Sequence, residues 1–225
     1  MKKLILISIM IATVYSSSAQ DVKMDCREKM MVGIKAGMNY SSVYGTNEAD
    51  FHPSFISGFV GGVFINVPIN KFLGVQTEIL YSQKGFHATG SMFGTHYEFT
   101  RNTTYIDFPV LFAIMPNQYI SLLVGPQFAY LINQKNVYKN GTTSVVQESA
   151  FNSDNSRKNN IGIVAGIDIN YKHFVLGARG GWGLQYNNGS GTAPTPSYKN
   201  LCYKTTLGYR FNIKNVCGND VRRNY

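Results

Sequence analysis

Charge is scarce in this sequence. Asp, Glu, Lys and Arg make up 15% of its 225 residues, while Phe, Trp and Tyr reach 13%. A soluble domain carries nearer a quarter charged residues, so the balance argues against a water-solvated globule. Cysteine is sparse too: Cys26, Cys202 and Cys217 allow at most one internal disulfide and leave one thiol over. Long helical membrane segments are missing. Beyond the first twenty residues no apolar run reaches helix length without a proline, a charge or a turn signal, and helical periodicity is absent. No G-x-S-x-G or other nucleophile motif occurs, so the chain reads as non-enzymatic. The 21 Lys and Arg exceed the 12 Asp and Glu, giving +9, but the basic residues are scattered. That dispersal argues against nucleic acid and fits a polyanionic membrane surface such as lipopolysaccharide.

The N-terminus reads as an export signal. "MKK" is a basic start, "LILISIMIATVY" is an apolar run too short to span a bilayer, and Ser17 and Ala19 occupy the small-residue positions of a cleavage site. A signal peptide over residues 1–19 is expected, with Gln20 first in the mature chain. Cys26 follows "VKMD" rather than a lipobox, so no lipoprotein is expected.

What recurs instead is alternation. "VGIKAGMNY" sets Val32, Ile34, Ala36, Met38 and Tyr40 against Gly33, Lys35, Gly37 and Asn39. "LGVQTEILYSQK", "IGIVAGIDINY" and "LCYKTTLGYRF" repeat the pattern, and period two is the strand signature. Eight such segments are expected, at about 32–41, 55–66, 72–84, 103–115, 119–131, 159–171, 174–186 and 199–211. Connections at "VPINK", "PNQ" and "KH" are short, whereas those at 42–54, 85–102, 132–158 and 187–198 are long and polar. An even number of antiparallel strands, joined by short turns on one side and long loops on the other, describes a transmembrane barrel. The fold class expected is all-β: an eight-stranded antiparallel up-and-down transmembrane β-barrel.

The two faces agree. The apolar side ends in Tyr40, Tyr81, Tyr130, Tyr171, Trp182, Tyr203, Tyr209 and Phe211, candidates for interfacial girdles. The other side carries Lys35, Glu78, Asp107, Asp168, Arg179, Lys204 and Arg210 among glycines. A soluble barrel would reverse this arrangement. These seven residues form a candidate lumen charge network, either an ion-pair plug filling a narrow barrel or a small ion path or proton relay. The stretch "YIDFPVLFAIMPNQYISLLVGPQFAYLI", residues 105–132, reads as one membrane hairpin turning at "PNQ", with Asp107 inward and Pro109 and Pro126 awkward for a regular ladder.

"QTEILYSQKG", "YIDFPVLFAI", "LLVGPQFAYLI" and "LGYRFN", together with the first alternating segment, resemble the PorT-like outer-membrane β-barrel family. The resemblance runs over about residues 32–212. It implies an eight-stranded barrel in the outer membrane, and no single activity.

On this reading residues 20–31 are a periplasmic segment, 32–212 the barrel and 213–225 a periplasmic tail. Cys26 and Cys217 flank the first and last strands, which neighbour each other in a closed barrel, so a Cys26–Cys217 disulfide across the seam is a candidate, with Cys202 unpaired and inward. His87 and His96, nine residues apart near Glu98, do not make a metal signature and read as solvated loop histidines. No cofactor is expected. The expected role is structural or surface-interacting through the long loops, with a monomer meeting envelope or extracellular proteins. A component of a secretion or envelope-assembly machine is the alternative, and a narrow channel a further one.

Overall fold

A computed structural model describes residues 27, 29–45, 52–92, 95–140, 143–150, 158–187 and 197–212. It contains nine antiparallel strands: β1 (Met31–Tyr44), β2 (His52–Pro68), β3 (Leu73–Met92), β4 (Thr95–Ile114), β5 (Ile120–Asn140), β6 (Thr143–Ala150), β7 (Asn159–Tyr171), β8 (Phe174–Gly183) and β9 (Lys199–Asn212). Eight of them close a ring, because β4 pairs with β5, β5 with β7, and β1 with β9. β6 stands outside the ring and pairs with the far half of β5, from Asn133 to Asn140. Among the described residues no helix is long and apolar enough to cross a membrane.

Three short turns join strands at one end. Asn70 Oδ1 accepts from the Phe72 and Leu73 amides at 2.8 and 2.9 Å. Asn117 Oδ1 does the same for Tyr119 and Ile120, at 2.9 Å each. These Asx turns spend a side-chain acceptor on amides that no ladder reaches. The third turn is Lys172-His173, with Lys172 at φ 51°.

Outward positions are apolar and exposed. Ile34, Val63, Ile79, Phe112, Val124, Ile163, Leu176 and Leu207 are each at least two-fifths accessible, which places them against lipid. Aromatics bracket this belt. Tyr171, Phe174, Tyr209 and Phe211 lie at the short-turn end, where Tyr209 meets both phenylalanines edge-on. Tyr40, Phe55, Tyr203 and Trp182 lie toward the other end, with Tyr40 opposite Tyr203 in register and Phe55 5.9 Å from the Tyr203 ring.

Two expectations of strand length are corrected. Residues 85–92 and 95–102 are strand rather than loop, and β5 continues to Asn140. β3 and β4 are 20 residues long, about twice what a tilted strand needs to cross a bilayer, so their hairpin stands clear of the lipid belt. The 105–132 stretch is one hairpin, with both prolines mid-strand. The β3–β4 ladder skips Phe108 and Pro109, and the β4–β5 ladder skips from Pro109 to Phe112, since proline offers no N–H.

Candidate functional site

The inward side chains fill the barrel with ion pairs in two tiers. Nearer the short turns, Arg179 Nη1 donates to Glu78 Oε1 at 2.6 Å, and its Nη2 straddles Asp168 Oδ1 and Oδ2 at 3.1 and 2.9 Å. Lys35 Nζ donates to the same Glu78 oxygen at 3.0 Å and lies 4.7 Å over the Phe64 ring. Gln76 Nε2 bridges the two carboxylates, at 2.8 Å from Glu78 and 3.3 Å from Asp168. Two cations face two carboxylates, and all four side chains are buried.

The upper tier centres on Asp107. Lys84 Nζ donates to its Oδ1 at 2.7 Å and Lys204 Nζ to its Oδ2 at 2.9 Å, while Lys204 also donates to Gln127 Oε1 at 3.0 Å. Higher still, Arg101 Nη1 donates to the Tyr198 hydroxyl at 2.5 Å and its Nε to Asn136 Oδ1 at 2.8 Å. Tyr198 packs with Val43, Phe86 and Ala88, and Phe99 leans on them, so a small core closes this mouth. Burial pushes the Tyr198 hydroxyl above its ordinary pKa against the pull of Arg101. At the opposite end Met115 is buried, and Arg27 reaches the Met115 and Pro116 carbonyls at 3.4 and 3.3 Å.

The structure thus brings together Lys35, Glu78, Asp107, Asp168, Arg179 and Lys204, six of the seven residues singled out from sequence. Arg210 does not join them. It shares their parity but sits near the end of β9, where its guanidinium donates to Lys172 O at 2.5 Å and approaches Met31 Sδ. Sequence reasoning set Lys84 on the polar side without counting it in the network, and it missed Arg101. Lys84 is two residues from Ser82 and six from Glu78 on one strand, so period two alone assigns it inward. Arg101 was hidden because residues 85–102 read as loop. Cys202 is buried and free, while Cys26 and Cys217 lie outside the described residues. His87 lies on β3 and shares a hydrogen bond with Thr100 Oγ1 at 2.9 Å, and the His96 side chain is not among those described.

A closed ring of eight antiparallel strands, apolar and aromatic outside and filled with ion pairs inside, defines a transmembrane β-barrel of the outer-membrane class. The chain belongs to the outer membrane protein beta-barrel domain family, whose model matches residues 18–187, and it resides in the outer membrane. No curated protein matches it. Solved structures that resemble it include Ail, the attachment invasion locus protein of Yersinia pestis, at 16% identity, covering 81% of this chain and 99% of that one with a TM-score of 0.46. Neisserial surface protein A follows at 10% identity, 82% and 100% coverage and a TM-score of 0.41. OprG from Pseudomonas aeruginosa stands at 11%, with 83% and 99% coverage and a TM-score of 0.40.

Proposed function

We propose that this chain is a non-enzymatic, monomeric surface-interaction barrel. Its short turns face the periplasm and its extended strands stand outside the cell. The observation that carries this reading is the contrast between the two parts of the molecule. The lumen is packed with ion pairs and capped at both ends, whereas β3, β4, β5 and β6 raise a sheet well above the aromatic belt. Where chain length exceeds what the membrane needs, the excess serves something outside the membrane. Lys135 and Lys139 are exposed on the outward face of β5 there, suited to the phosphates of lipopolysaccharide. The PorT-like resemblance and a place in a secretion or envelope-assembly machine form the second reading. The hairpin supports that reading equally well if its partner is another envelope protein.

The test is to shorten the hairpin. His87 and Thr100 are directly paired, so an Asn-Gly turn can replace residues 88–99 and close β3 onto β4. Cells carrying the full or the shortened chain are compared for binding to arrayed glycans and matrix proteins, and by cross-linking within the envelope. Loss of extracellular binding with insertion intact supports the surface reading. A stoichiometric envelope partner lost on shortening supports the machine. Unchanged behaviour in both removes the hairpin from function.

A further inference from the structure

Among the described residues the upper lumen is short of negative charge. Among the described residues the buried ionisable cations are Lys35, Lys84, Arg101, Arg179 and Lys204, and the buried carboxylates are Glu78, Asp107 and Asp168. Five cations against three carboxylates leave a surplus, and it lies entirely above the balanced lower tier. Lys84 and Lys204 share the one carboxylate of Asp107, and Arg101 bonds only neutral groups.

The ammonium donors are not all used. Each has three N–H bonds. Lys204 directs two, to Asp107 and Gln127. Lys84 directs one to Asp107 and otherwise lies 5.0 Å over the Tyr105 ring. Among the described residues one N–H of Lys204 and two of Lys84 are therefore left over.

Beside these donors is a cavity of about 30 Å³ whose lining includes Lys84, Tyr105, Gln127, Gly181, Cys202 and Lys204. On β8 the inward residue at this height is a glycine, which leaves room beside it. A Cβ built on Gly181 meets nothing nearer than 3.5 Å. The space suits about one or two water-sized occupants.

We propose that this cavity binds one small monovalent inorganic anion of halide size, held by the spare N–H groups of Lys84 and Lys204. Water would fill the space and leave the surplus charge uncompensated in a low-dielectric interior. Sulfate or phosphate would exceed the volume. A halide meets both the charge and the space.

Bromide is the probe. Crystals of the full chain soaked in bromide should give one anomalous peak within hydrogen-bonding distance of both ammonium nitrogens. Peaks only at exposed lysines, with water in the cavity, overturn the proposal. Gly181→Leu fills the cavity without touching a charge, and Lys84→Met leaves Lys204 alone with Asp107, a balanced pair beside the cavity; each should abolish the peak, and its persistence in Lys84→Met overturns the proposal. In solution the refolded wild-type barrel should unfold at a midpoint that rises with chloride and not with gluconate at equal ionic strength. A midpoint indifferent to chloride overturns the proposal even if both variants fail to fold.

Discussion

Asp107 accepts from two lysines while wholly buried, so replacing one of its oxygens with an amide is the most informative single change in the lumen. Asp107→Asn leaves two ammonium groups beside each other with no carboxylate between them. Breaking a buried pair by removing one partner costs about 3–5 kcal/mol, and the loss should appear as a lower urea midpoint in lipid vesicles. Glycines give a paired test of the wall. A Cβ at Gly37 would strike the backbone carbonyl of Thr205 across the β1–β9 seam, whereas one at Gly181 makes only ordinary van der Waals contacts, the nearest 3.5 Å from Val164. Gly37→Ala should therefore cost about 1–3 kcal/mol by overpacking, while Gly181→Ala should stay within about 0.5 kcal/mol. Parity made most of this lumen legible. Asp107, Asp168 and Lys204 each sit one residue from a lipid-facing neighbour, so the contrast between faces assigned them. Arg210 shared the parity, but parity carries no height, and height decides whether a side chain meets the ion pairs or the rim.

The elements above the membrane were harder to read, for a physical reason. Period two is visible only where one face meets lipid and the other does not. Along residues 85–102 the outward face has left the lipid and the inward face mixes apolar Phe86 and Ala88 with Arg101, so the contrast vanishes and the strand reads as loop. β5 adds a second difficulty. Its pairing shifts between Tyr105↔Leu131 and Thr104↔Asn133, a bulge at Ile132 that moves the inward set from odd to even residues. That shift turns Asn136 toward Arg101 and so builds the mouth. The mouth should respond to alkali. Since burial raises the folded Tyr198 pKa, the unfolded chain ionises first. The stabilisation is complete below the ordinary tyrosine range and is lost as pH rises toward the folded value. Amide exchange at Tyr198 and Asn187, which bond each other at 2.9 Å in both directions, reports the loosening. Exchange there should accelerate in alkali, and Tyr198→Phe should make it fast already at neutral pH.

At the scale of the whole molecule, the barrel is closed in three ways at once: around its circumference, across its lumen and at its mouth. Closure around the circumference leaves no strand edge in lipid, and it sets Trp182, the one tryptophan of the chain, outward beside the far aromatic belt. Bromines placed near the headgroup of the lipid should quench its emission more than bromines deep in the acyl chain. Closure across the lumen separates a surface protein from a channel. An ion travelling along the axis would have to part Arg179 from Glu78 and Asp168, then Asp107 from both lysines, before meeting Phe86 and Tyr198. Each step strips a buried charge of its partner, at a cost of several kcal/mol, and thermal motion alone does not supply the steps in series. Planar bilayers containing the full chain should therefore show no unitary current steps. Removing the obstruction piece by piece should matter only when both tiers go: Arg179→Ala or Lys204→Ala alone leaves the other tier in place, and the double variant should be the first to conduct. Steps of fixed size in the unmodified chain would replace the surface reading with that of a narrow channel.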